Sequence, residues 1–174
     1  HVEDAVVDSC KILMDAGVDF LWFPTPNFGG YCISRKTYEK CISKSNIHAL
    51  KRIKENGAWI VLHTCGLYDD RFDLVLDESG DAWHISDTST KKIKEQYGDK
   101  VALMGSIPCV PVLMEGTEQE VYDFCYKECM DAAKDGRFIL SGDCDVPPGT
   151  SDENMKAAVR AAKDAEKVLF GKAE

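Results

Sequence analysis

His63-Thr64-Cys65 sets an imidazole and a thiol two residues apart at the end of an apolar run, Trp59-Ile60-Val61-Leu62. The run has the make-up of a β-strand, and side chains at i and i+2 of a strand project from one face. Both groups can therefore reach one point in space. Imidazole nitrogen and thiolate sulfur are donor types that hold zinc. A pair is not a site, so a third donor has to come from elsewhere in the chain. The best placed is Cys144, closing the stretch Phe138-Ile139-Leu140-Ser141-Gly142-Asp143-Cys144. Without a metal, these residues would be a buried histidine and small, weakly polar core cysteines.

The elements that must present these residues alternate between helix and strand. Apolar positions at helical spacing predict a helix over Val2–Ala16, closed by Gly17. Val18–Phe23 reads as a short strand, followed by the long loop Pro24-Thr25-Pro26-Asn27-Phe28-Gly29-Gly30. Ser34 is placed to cap a helix that runs, with a break, to Glu55. Trp59–Cys65 is the second strand, and Asp69–Glu78 a helix. Ala82–Asp87 is the third strand, Ser89–Tyr97 a helix, and Val101–Ile107 the fourth strand. Thr117 and Glu120 have capping-box form and open a helix to Lys134. Arg137–Ser141 is the fifth strand. Thr150 and Glu153 form a second capping-box candidate before a last helix ending near Phe170.

Strands alternating with helices imply a parallel sheet, and near-continuous apolar strands imply a sheet covered on both faces. An open doubly wound sheet and part of a (β/α)8 barrel both meet that description. Either architecture puts its active site at the C-terminal ends of the strands. His63, Cys65, Asp87, Ser106, Asp143 and Cys144 all stand at or just beyond such ends.

The 174 residues suffice for a single domain over 1–174 with its own core. A net charge of -9 excludes a broad nucleic-acid surface, which needs clustered Lys and Arg. No apolar run reaches the roughly 18 residues of a membrane span, and no signal peptide is visible. The eight cysteines follow no disulfide framework. The expected setting is a reducing, cytoplasmic one. The first residue is His rather than Met, so a piece of a longer chain is expected.

Taken together, His63-x-Cys65-Gly66, Gly105-Ser106-Ile107-Pro108, Gly116-Thr117, Gly142-x-Cys144 and Pro147-Pro148-Gly149-Thr150 resemble the C-terminal half of the uroporphyrinogen decarboxylase superfamily. The nearer likeness is to its zinc-dependent corrinoid methyltransferase branch, which includes methylcobamide:coenzyme M methyltransferases and corrinoid O-demethylases. The resemblance implies an α/β fold: a partial (β/α)8 TIM barrel of about five C-terminal βα units around a parallel sheet. It implies Zn2+ held by His63, Cys65 and Cys144, and a methyl-corrinoid carried by a partner protein. It implies methyl transfer between that corrinoid protein and a small thiol, methoxylated or folate substrate. In one direction a zinc-activated thiolate takes the methyl group and cobalt(I) leaves; in the O-demethylase direction cobalt accepts it. Asp87 then either orients His63 or contacts substrate, and Tyr68, Asp69 and Asp70 line the mouth.

Ser106 stands where the family usually has Asn, and Asp143 and Asp145 flank Cys144 with negative charge. The missing N-terminal units would leave two unpaired sheet edges, which a homodimer can cover. The alternatives are a metal-free uroporphyrinogen decarboxylase-like enzyme and an inactive barrel fragment with a structural or binding role. Cys125 and Cys129, four apart on a helix with no His partner, read as core, as does Cys109. His84, in mid-strand, reads as a hydrogen-bonded structural residue. Trp22, Phe23 and Phe28 read as packing rather than a substrate platform.

Overall fold

The computed structural model describes residues 2–171, so His1 lies outside them. Five strands form one parallel sheet in the order β1-β2-β3-β4-β5: β1 (Phe20–Pro24), β2 (Trp59–Thr64), β3 (Ala82–Ile85), β4 (Ala102–Met104) and β5 (Phe138–Ile139). Helices fill the connections: α1 (Val2–Asp15), α2 (Arg35–Thr37), α3 (Lys44–Lys54), α4 (Phe72–Asp77), α5 (Thr90–Tyr97), α6 (Glu118–Ala132) and α7 (Asp152–Phe170). The expected alternation is observed. β1 starts later than expected and ends at Pro24 rather than Phe23, whereas β2 to β5 each stop short of their expected C-terminal ends, where the backbone turns away to carry polar residues. The chain forms two compact units, one ending at Trp83 and one beginning at His84.

In the first unit, β1 and β2 pair in parallel with Phe20 opposite Trp59 and Pro24 opposite His63. The expected break after Ser34 is real. Ser34 caps α2 by accepting from the Thr37 amide, and a π-helical turn, Tyr38–Ser43, then leads into α3. Its two buried residues, Tyr38 and Ser43, are five apart, the spacing of a π-turn rather than an α-turn.

The second unit pairs β4 with β5 through Leu103 opposite Phe138 and Met104 opposite Ile139, and an isolated bridge joins Ile107 to Gly142. A second π-helical segment, Cys109–Met114, follows β4 and was not foreseen. Thr117 and Glu120 form the expected capping box. The second candidate was wrong by one residue. Ser151 caps α7 by accepting from the Asn154 amide, while Thr150 donates its hydroxyl back to the Pro147 carbonyl. α6 presents Val121, Cys125 and Cys129, and α7 presents Ala157, Ala161 and Ala165, all buried at intervals of four. The alanines let the two helices pack closely. Burial pushes the Cys125 thiol up to about 12 and that of Cys129 to about 11, as expected of core residues rather than ligands.

One carboxyl in the first unit is fully buried. Glu78 accepts from the Tyr38 hydroxyl at 2.5 Å and the Asn46 amide at 3.0 Å. Burial, only partly offset by these bonds, raises its pKa from 4.5 to about 7. The fold therefore binds this proton more tightly than the unfolded chain does. The stability it contributes is complete below pH 4.5 and is lost as pH rises through about 7. At 1.36 kcal/mol per unit that is about 3 kcal/mol. Urea unfolding of wild type and Glu78→Gln across this window should show a pH slope in wild type that the variant lacks. Parallel slopes in the two proteins would remove Glu78 as its source.

Candidate metal centre

His63 is the fifth residue of β2 and is nearly buried. Its carbonyl accepts from both the amide and the hydroxyl of Thr25, at 3.0 and 2.9 Å. The Tyr68 hydroxyl donates to the Thr25 carbonyl at 2.6 Å, with the threonine Oγ1 at 2.9 Å. Thr25 opens the loop after β1, and Tyr68 lies three residues beyond Cys65. The segments on either side of the ligand pair are thus fastened to the backbone of His63 itself. The loop also presses on the turn that follows Cys65. The Gly30 amide donates to the Leu67 carbonyl at 2.6 Å, and a Cβ at Gly29 would stand 3.2 Å from both the Cys65 carbonyl and the Tyr68 ring. A side chain at position 29 would make these neighbours give by a few tenths of an ångström.

One expectation for this region is corrected. Tyr68 does not line a mouth; it is fully buried, its hydroxyl bonded to Thr25, whereas Asp69 and Asp70 are exposed. Trp22 packs on a partner the sequence did not name: the residue is 41% exposed, and its ring stacks on His63 with centroids 5.4 Å apart and planes at 30°. The signal was present in the alternation. Trp22 pairs with Val61, so it is the diagonal neighbour of His63 on one face of the β1–β2 pair.

In the second unit, Cys144 is exposed and sits just past the Ile107–Gly142 bridge. The Asp143 amide donates to the Ile107 carbonyl at 2.8 Å, and its carboxylate accepts from the Cys109 amide at 3.1 Å. Asp143 is therefore committed to backbone support. The Cys109 thiol is buried, which raises its pKa, and it donates to the Cys144 carbonyl at 3.3 Å. His84, also buried, has Nε2 2.6 Å from the Gly142 carbonyl, the hydrogen-bonded role expected of it. Burial lowers its pKa, so the neutral ring is favoured.

His63, Cys65 and Cys144 each offer one ligand atom, and these atoms all lie within 4.8 Å of one another. Asp87 is not in this group; it is exposed on the turn after β3, in a left-handed conformation with φ 49°. One imidazole nitrogen and two sulfurs form a zinc-type donor set. Their spacing suits an ion with bonds of about 2.0–2.3 Å after small side-chain adjustments. Three protein ligands leave a fourth position open, as catalytic zinc sites do.

The uroporphyrinogen decarboxylase (URO-D) family profile matches residues 1–165. The chain belongs to the uroporphyrinogen decarboxylase family. It is also 26% identical over 162 residues to a methylated-thiol–coenzyme M methyltransferase of Methanosarcina mazei, covering 92% of this chain and 42% of that protein. A solved structure of a methyltransferase from Methanosarcina mazei shares the fold with a TM-score of 0.83 at 20% identity, over 93% of this chain and 47% of that one. The chain therefore spans less than half the length of these relatives. With five parallel strands in one sheet, the expectation of a partial (β/α)8 barrel is met.

The Thr25–Tyr68 link gives a direct test of how the ligand-bearing strand end is held. Tyr68→Phe keeps the ring and removes the shorter of two donors to the Thr25 carbonyl, leaving it the Phe28 amide at 3.2 Å. Urea unfolding should show a loss of about 0.5–1.5 kcal/mol, the net worth of one hydrogen bond. A Phe variant as stable as wild type would mean that the link holds nothing in place.

Proposed function

We propose that this chain belongs to a zinc-dependent methyltransferase that moves a methyl group between a corrinoid protein and a small thiol, methoxylated or folate substrate. The observation that carries the reading is the convergence of the His63, Cys65 and Cys144 ligand atoms. The family membership and the methyltransferase relative support it. In this reading His63, Cys65 and Cys144 hold the metal. Bound there, zinc supplies a Lewis-acidic open position that favours the thiolate form of an incoming thiol.

The protein's own part is to fix that position. Thr25 holds the carbonyl of His63 and Tyr68 holds Thr25, so the imidazole's main chain is set before a metal arrives. Trp22 covers one face of the imidazole with an apolar ring. Asp87, exposed where β3 ends, is assigned to substrate contact or to orienting His63. The working protein is the longer barrel of which these residues form one C-terminal domain, and a second copy is a candidate partner at its edges. A reducing, cytoplasmic setting is part of this reading. A net charge of -9 argues against a broad nucleic-acid surface, and no helix among the described residues is long and apolar enough to cross a membrane.

The first test is metal content. Protein purified without chelator should carry about one zinc per chain, lost in Cys144→Ser and Cys65→Ser. Transfer of a methyl group from a methyl-corrinoid protein should then be measured with the full-length chain and each candidate acceptor. A well-folded protein that stays metal-free when offered zinc would overturn the reading.

A further inference from the structure

The Cys144 segment is held from two directions. Residues 107–109 supply the first. The Ile107 amide donates to the Ser141 carbonyl at 2.9 Å and the Asp143 amide to the Ile107 carbonyl at 2.8 Å. The Cys109 amide and thiol then hold Asp143 and Cys144, as described above. All of these bonds come from one neighbouring stretch, so alone they would leave the segment hinged along one side. The second direction is His84. It lies on β3, and β4 stands between β3 and β5 in the sheet order. Its Nε2 lies 2.6 Å from the Gly142 carbonyl.

We propose that His84 is a positioning residue for the metal centre: by donating Nε2–H to the Gly142 carbonyl, it fixes the turn that aims the Cys144 sulfur. The inference rests on the reading of Cys144 as a metal ligand. A carbonyl can only accept, so Nε2 carries the proton in this contact. The ring is buried, and a bond there is not exchanged freely for one to water. Gly142 has no slack on its other side. A Cβ at that position would stand 2.6 Å from the Cys109 sulfur and 3.2 Å from the Cys144 carbonyl. The turn is therefore gripped between a donor pulling on its carbonyl and a sulfur packed against its Cα. A ligand two residues beyond such a grip is presented in one orientation. That lowers the ordering cost of metal binding, as other outer-shell partners of metal ligands do.

The test compares three variants in the full-length chain. Gln places its amide nitrogen close to where Nε2 lies in His, Asn is too short to reach, and Phe keeps a ring but has no donor. Zinc affinity is read by competition with a chromophoric chelator. The rate of Cys144 alkylation in the zinc-free protein is read by mass spectrometry. His84→Asn and His84→Phe should bind zinc roughly 10–100-fold more weakly, the usual effect of losing an outer-shell partner. In both, Cys144 should be alkylated faster, and His84→Gln should restore most of both values. Thermal unfolding is followed alongside, and if one weakened variant does not fold the other carries the comparison.

Wild-type zinc affinity in the Asn or Phe variant would overturn the inference. So would a Gln variant as weak as Phe, because the ring and not the donor would then be what matters. Cys144→Ser separates the two levels. If it keeps its zinc, the ligand assignment itself fails. If it loses zinc while His84→Phe binds normally, only the positioning role fails.

Discussion

Parallel pairing is the constraint on which this structure turns. In a parallel sheet every strand runs the same way, so every strand ends at the same edge. The pairing of Phe20 with Trp59 and of Pro24 with His63 leaves no choice about where the imidazole emerges. The same rule delivers Cys144 to that edge by a different route. β5 has only two paired residues, and its backbone leaves the ladder early. It is met once more, at the Ile107–Gly142 bridge, before the cysteine.

A strand that stops pairing leaves main-chain carbonyls with no ladder partner, and buried carbonyls of that kind need other donors. Here side chains add to the backbone amides that still reach His63 and Thr25. Thr25 serves His63, Tyr68 serves Thr25, and His84 serves Gly142. Groups that look like candidates for chemistry by their type are thus consumed in holding the backbone. Asp143 is the clearest case: a carboxylate beside a proposed ligand that faces the Cys109 amide. The groups that could hold a metal ion are the imidazole of His63 and the thiols of Cys65 and Cys144, and the carboxylate of Asp87 is exposed.

The element order, the parallel sheet and the three donor residues were legible because each rests on a local rule. Apolar runs mark strands, Thr117 and Glu120 cap a helix, and a His-x-Cys pair on a strand shares a face. The π-turns were harder. A burial interval of five, as between Tyr38 and Ser43, does not match the period of an α-helix and shows in the sequence only as a break. The segment Cys109–Met114 left no such break to read. The roles of Tyr68 and Trp22 were missed for another reason. Each is decided by a partner distant in sequence, Thr25 for one and His63 for the other, and residue type alone suggests a pocket wall or a core filler. The cap of α7 slipped from Ser151 to Thr150 because both residues can cap and only the turn before them decides.

Arg71 gives the loop after β1 a different character from the one its length suggests. The guanidinium is buried beside the rings of Tyr38 and Tyr68, with centroids 5.4 and 5.9 Å from its central carbon. It donates to the carbonyls of Phe28 and Ile33 at 2.7 and 3.2 Å, and to the Asp70 carboxylate. A permanently charged group inside the protein cannot be left behind when its acceptors move away, since its desolvation would then go uncompensated. Residues 28–33 and the start of α4 therefore open together or not at all, as one cooperative unit. A long loop is commonly a lid that swings on its own; this one is tied down as a fixed wall.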